Sequence, residues 1–151
     1  MRCLECDGYI SYVVTNFSLS SYGIPLCVSH QRWIEGIKSM TSSETIRLYF
    51  ALKSRGVPVE IEKFDGYKHI DIAIPEAKMN IEVDGIQHNL SAQQALSDLK
   101  RTYYSFLKGY ITIRIPNSLL RDDYVLEETA DYIVGMLNES VSKNYRKGRY
   151  Y

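Results

Sequence analysis

Apolar and polar residues alternate along VPVEIEKF (57–64), KHIDIAI (68–74) and MNIEVD (79–84), the pattern of β-strands with one buried face. Asp65-Gly66 between the first two runs is a hairpin signal, and Pro75-Glu-Ala-Lys78 between the next two reads as a turn. Upstream the period lengthens. SSETIRLYFALKSRG (42–56) is rich in helix formers, with an apolar stripe at Ile46, Tyr49, Phe50 and the stem of Lys53. Thr41-Ser-Ser-Glu44 fits a capping box at its start, and Gly56 stops it. Downstream the pattern predicts a helix over 91–108 broken at Gly109, a strand in YITIRI (110–115) ahead of Pro116, and an amphipathic helix over 122–140. The order α-β-β-β-α-β-α predicts an α/β fold, a mixed sheet flanked by helices.

The first 40 residues carry different chemistry. All three cysteines lie here, as Cys3-Leu-Glu-Cys6 and Cys27-Val-Ser-His30, in the pattern C-x2-C-x20-C-x2-H. Each pair can reach one ion from a tight knuckle, and two pairs complete the closed tetrahedron of a structural zinc site. Gly8 suits a knuckle that has no room for a side chain. YISYVVTNF (9–17) reads as a strand, 18–25 as turn, and 27–40 as a short helix. A hairpin followed by a helix that carries the second ligand pair resembles a treble-clef or zinc-ribbon finger. A redox C-x-x-C or simple buried thiols are the other readings of the cysteines; the redox reading has no strand ahead of Cys3 and leaves the C-x-x-H pair unexplained.

Bulk properties narrow the class. A chain of 151 residues, 45% hydrophobic and 24% charged, has the composition of a globular protein with a real core. No apolar stretch is long enough to cross a membrane and no signal-peptide pattern opens the chain, which together predict a cytoplasmic protein without a membrane partner. Formal net charge is zero, so any nucleic-acid surface must be local. The end of the chain, 143–151, gathers Lys143, Arg146, Lys147 and Arg149 without a carboxylate and reads either as a solvated tail or as a phosphate-binding arm. The expected division is a finger over 1–40, an α/β domain over 41–142 and a basic tail over 143–151.

Carboxylates mark the middle of the predicted sheet. Ile70, Ile72 and Ile74 share one face of their strand, and His69, Asp71 and Ala73 share the other; Met79, Ile81 and Val83 alternate with Asn80, Glu82 and Asp84. If the turn pairs Ile74 with Met79, Asp71 falls opposite Glu82. Like charges so placed, with Cβ atoms about 5 Å apart, repel. Either this face is solvated, or a divalent cation reverses the sign, since Mg2+ commonly takes one or two carboxylates and keeps its waters.

Asp71-Ile-Ala-Ile-Pro75-Glu-Ala-Lys78, followed by Ile81-Glu-Val-Asp-Gly-Ile-Gln-His88, resembles the PD-(D/E)xK nuclease superfamily, in its very-short-patch-repair endonuclease-like branch. Asp98-Leu-Lys-Arg101, Gly109-Tyr110 and Arg114 fit further positions of that pattern, and the resemblance covers about residues 42–117. It implies a restriction-endonuclease-like fold and Mg2+- or Mn2+-dependent hydrolysis of DNA phosphodiester bonds. Asp71, Glu82 and the Val83 carbonyl would hold the metal, and Asp84 would orient the water or serve a second ion. His88 would act as general acid or base, and Glu44 is a further acid near the metal, though it equally fits its capping box. Arg101 and Arg114 would contact phosphates, together with Lys143, Arg146 and Lys147 of the tail; Asp98 and Arg101 also fit an ordinary helix pair. Asp84 stands where the broad superfamily has its lysine. A non-catalytic nuclease-fold module that binds DNA or adapts a partner is the alternative.

Overall fold

The computed structural model describes residues 1–85 and 91–147, with side chains as far as 139. The chain forms two compact units, 1–43 and 44–151. None of the described helices is long and apolar enough to cross a membrane.

The first unit contains two helices, α1 (Tyr12–Tyr22) and α2 (Val28–Ile37), and an isolated antiparallel bridge between Arg2 and Tyr9. The strand expected over 9–17 is instead largely helix α1, which also absorbs most of the expected turn. The β-forming Tyr, Val and Phe residues there are overridden by local polar bonds. Ser11 caps the helix by accepting from the Val14 N–H at 3.4 Å. Gly23 closes it at φ 72°, a left-handed conformation that suits glycine, with its N–H bonded to the Leu19 carbonyl. The residues α1 buries are Thr15 and Ser18, while Tyr12, Val13 and Phe17 face outward. No hairpin separates the cysteine pairs among the described residues, so the zinc-ribbon and treble-clef outline is not what this unit forms.

The second unit is a four-stranded mixed sheet with helices. Helix α3 (Ser43–Ser54) precedes β1 (Glu60–Phe64), β2 (His69–Ile74) and β3 (Met79–Asp84); α4 (Ala92–Leu107), β4 (Ile111–Pro116) and α5 (Asp123–Lys147) follow. Strand order is β1-β2-β3-β4, antiparallel except for the parallel β3–β4 pair that α4 connects. The element order therefore matches the expectation from hydrophobic pattern. Helix α3 begins at Ser43 and buries Thr45, Leu48, Tyr49, Phe50, Ala51 and Leu52, so the expected stripe holds at Tyr49 and Phe50 while Ile46 and Lys53 are only half-buried. Helix α5 runs seven residues past its expected end at Ser140, so the start of the expected basic tail, 143–147, is helical.

Turn chemistry fixes the register. The Asp65 carboxylate accepts from the N–H groups of Tyr67 and Lys68 at 2.8 and 2.9 Å, closing the β1–β2 hairpin as an Asx turn. Pro75–Ala77 forms one 3-10 turn that ends on Lys78 at φ 49°, and the ladder then pairs Ile74 with Met79 and Ile72 with Ile81. Ile70, Ile72, Ile74 and Ile81 are buried, and Leu48 and Leu52 of α3 with Leu126, Ala130 and Ile133 of α5 complete this core.

One polar residue carries much of the first unit. The Ser18 hydroxyl, fully buried, donates to the Ile24 carbonyl at 2.7 Å and accepts from the Leu26 N–H at 2.8 Å. Ser18→Ala should cost about 1–3 kcal/mol in urea unfolding, because it orphans a buried N–H and carbonyl. The exposed Ser20→Ala should change it by under about 0.5 kcal/mol.

Candidate functional site

The cysteine and histidine side chains of the first unit converge. The chain turns back on itself between Cys3 and Gly8, with the Cys3 N–H bonded to the Gly8 carbonyl at 2.8 Å and the Asp7 N–H to the Cys3 carbonyl at 2.9 Å. A Cβ on Gly8 would stand 3.3 Å from the Cys6 sulfur, a tight contact that would push that thiol by a few tenths of an ångström. The Leu4 N–H bonds to the Pro25 carbonyl, which docks this knuckle beside Cys27. Cys27 is the N-cap of α2, and His30 lies in its first turn. The donor atoms of Cys3, Cys6, Cys27 and His30 all lie within 4.8 Å of one another. His30 Nδ1 is 3.5 Å from the Cys3 sulfur and 3.1 Å from that of Cys27. These separations fit the edges of a tetrahedron with metal–sulfur bonds of about 2.3 Å and a metal–nitrogen bond of about 2.0 Å. Burial alone would raise the Cys3 thiol, but N–H donors led by Cys27 outweigh it and bring its pKa down to about 7. A group that can ligate as a thiolate near neutral pH is what zinc requires.

In the second unit, the register carries Asp71 one step past the last paired residues, to the position opposite Glu82. Asp71 Oδ2 accepts from the Val83 N–H at 2.8 Å, so the aspartate closes the end of the ladder. The other side of Asp71 was not anticipated. The β1–β2 ladder pairs Ile61 with Ile72 and Lys63 with Ile70, bracketing Glu62 opposite Asp71, and Glu62 sits at φ 50°. That left-handed conformation is disfavoured for a residue with a Cβ. Glu60 and Glu62 at alternating positions of β1 were the signal for a third acid on this face.

The acidic face is covered, not solvated: Asn80 and Ala73 are buried, and Glu82 is 6% exposed. Two cations reach Glu82 Oε1, Arg101 Nη2 from α4 at 2.9 Å and Lys68 Nζ from the hairpin turn at 3.2 Å. The other arm of Arg101 binds Asp98 at 3.0 Å, and Arg114 binds Asp84 at 3.1 Å and approaches Asp98 at 4.0 Å. Charges thus alternate from Lys68 to Asp84. Burial raises the pKa of Asp71, the Glu62 charge adds to it, and the Val83 N–H and a side-chain hydrogen bond with Glu82 work against it. Burial, then the Asp71 charge, raises that of Glu82 despite Lys68 and Arg101.

Asp71 and Glu82 are therefore together, whereas Asp84 is turned to Arg114 and Glu44 is held by Arg121 at 3.1 Å. Of Val83, Asp71 meets the backbone N–H. His88 lies outside the described residues, as do the side chains of Lys143, Arg146 and Lys147. The pair offers the one or two carboxylates that Mg2+ commonly takes. Among the described residues only the Cys3–His30 group gathers three or more metal-ligating side chains. Beside the pair, a cleft of about 420 Å3 opens between the hairpin turn and α4, lined by Tyr67, Lys100, Arg101, Tyr104 and Lys108. Lys68, Lys100 and Lys108 escaped the sequence reading, because only the packing of α4 brings its lysines and the hairpin turn to one place. No family model, curated protein or solved structure matches this chain.

Zinc analysis should find about one ion per chain. Cys27→Ser should lose it and lower the stability of the whole first unit, and an unchanged melting temperature in that variant or with chelator would exclude a structural metal. The acid pair has its own signature. Both folded-state pKa values are raised, so the stability these groups contribute is fully present below the ordinary carboxylate pKa and is lost as pH rises through the raised values. Asp71→Asn should accordingly melt a few degrees above the native chain near pH 7, and the gain should vanish towards about pH 4.

Proposed function

We propose that the chain is a divalent-metal-dependent endonuclease that hydrolyses DNA phosphodiester bonds, with a zinc-stabilised N-terminal unit. The observation that carries this reading is the pairing of half-buried Asp71 with buried Glu82, both with raised pKa values, joined through Arg101 to a cleft that Lys100 and Lys108 also line. Two buried carboxylates that repel each other cost stability unless a cation serves them, and residues held at such a cost mark functional sites more often than structural ones. Asp71 and Glu82 would hold Mg2+ or Mn2+. That ion supplies Lewis-acid polarisation of the phosphoryl group and a water of lowered pKa.

The chain's own groups cover the remaining tasks. The motif residue Asp84 replaces a lysine, and Lys68 brings an ammonium to Glu82 from the β1–β2 hairpin turn, at 3.2 Å. In this reading Lys68 takes up the work of orienting the attacking water. Lys100, Arg101 and Lys108 hold phosphate oxygens along the cleft, and the exposed rings of Tyr67 and Tyr104 offer flat faces to bases. The four ligands of the cysteine–histidine centre leave no open position for a substrate water, which makes its role structural. DNA rather than RNA rests on the motif resemblance alone.

A second reading, a nuclease-fold module that binds DNA without cutting it, is favoured by the ion pairs. Glu82 already has two cations and Asp84 has one, so these acids are neutralised without a metal.

Plasmid DNA incubated with the protein and Mg2+ or Mn2+ distinguishes the two. Nicking or cleavage that EDTA stops is expected, with Asp71→Asn at least about 100-fold slower while its circular dichroism is unchanged. Lys68→Ala should lose rate with DNA affinity kept, whereas Lys100→Ala with Lys108→Ala should lose affinity first, more steeply at higher salt. Salt-dependent DNA binding with no cutting under any metal would establish the second reading.

A further inference from the structure

Helix α4 packs the wrong way round for an amphipathic helix. Its polar side, Ser97, Asp98, Arg101 and Ser105, is the one that meets the Glu82 network and the cleft. None of its residues is fully buried, and Leu96, Leu99, Tyr103 and Phe106 stand in water, Leu99 64% and Phe106 68% exposed. These four are spaced three, four and three residues apart, the a/d seam of a helix that packs against another helix. Ala92 extends the seam at one end.

We propose that this seam is the interface of a homodimer, in which α4 of two copies pair antiparallel about a two-fold axis. The seam is its own complement under that operation: Leu99 of one copy meets Tyr103 of the other, and Leu96 meets Phe106, with the axis passing near residue 101. Its flanks also suit a second copy. Ala95 and Thr102 on one side are small and uncharged, and Gln93 and Leu107 on the other are neutral. Lys100 is the charged flanking residue, and its side chain lines the cleft. A partner of opposite charge would instead require charged flanks, which the seam lacks. The exposed side chains of Leu96, Leu99, Tyr103, Phe106 and Leu107 present an apolar strip of several hundred Å2. That matches or exceeds the ~300–600 Å2 of the largest patch on a typical monomer. It also approaches the ~800 Å2 per partner of a standard stable interface.

Sedimentation velocity of the full chain over a concentration series tests this directly. The native protein should move from one to two chain masses as concentration rises. The double variants Leu99→Lys with Tyr103→Lys, and Leu99→Glu with Tyr103→Glu, should each remain single chains through like-charge repulsion, and an equimolar mixture of the two should recover the dimer. If either double variant loses its helical circular dichroism, Leu99→Ser alone serves, with an expected rise of about tenfold or more in the dimer dissociation constant. A native chain that stays single at every concentration overturns the proposal, as do charge variants that dimerise as well as the native protein. Asp71→Asn should dimerise normally, so loss of nuclease activity and loss of the interface are read separately.

Discussion

A carboxylate at the centre of a sheet is stable in its charged form only if cations follow it inside. Glu82 is such a group, and the arginine that follows it comes from α4. Removing one partner of a buried pair costs roughly 3–5 kcal/mol where the other is left uncompensated, and without Arg101 Glu82 would keep Lys68. Few single contacts of this unit are worth as much. The Glu82–Arg101 pair thus decides which side of α4 faces the sheet. The rest of the face is arranged around it, with Asp98 holding the other arm of Arg101 and Lys68 drawn in from the hairpin turn.

The same pair leaves Asp71 less well served. Among the forces acting on it, burial and Glu62 raise its pKa, and the Val83 N–H and the hydrogen bond with Glu82 only partly offset them. Glu82 has two cations and still titrates high. Asp71 and Glu82 thus titrate high although Lys68 and Arg101 both reach Glu82, and Arg101 also lines the cleft with Lys100 and Lys108. The raised pKa values mean that the pair costs stability near neutral pH.

What the sequence disclosed follows from how local each feature is. The β2–β3 register was legible because a four-residue turn beginning with Pro75 leaves a narrow choice of pairings, and alternation then sets Asp71 beside Glu82. The clustering of Cys3, Cys6, Cys27 and His30 in the first unit was legible from spacing alone, since two pairs two residues apart need only one turn each. Helix α1 was not. Nine residues rich in Tyr, Val and Phe favour a strand by propensity, and the outcome was decided by the Ser11 cap within that run and by Ser18 and Gly23, whose bonds are made to backbone beyond it. The strained backbone of Glu62 and the cations on Glu82 were equally out of reach, because they depend on which segments meet in space.

Helix α4 shows the limit of pattern reading most clearly, and also its use. An amphipathic period locates a helix but says nothing about which side meets its own sheet, because the period is the same from either direction. Apolar burial would by itself turn Leu99 and Phe106 inward, and it is overruled by one buried carboxylate that only Arg101 can satisfy from this helix. The apolar seam is then a consequence of the acidic site: a helix whose polar side serves the sheet must present its other side to something else. The inward polar side and the outward apolar seam are two faces of one orientation, and a substitution that released Arg101 from Glu82 would remove the reason for both.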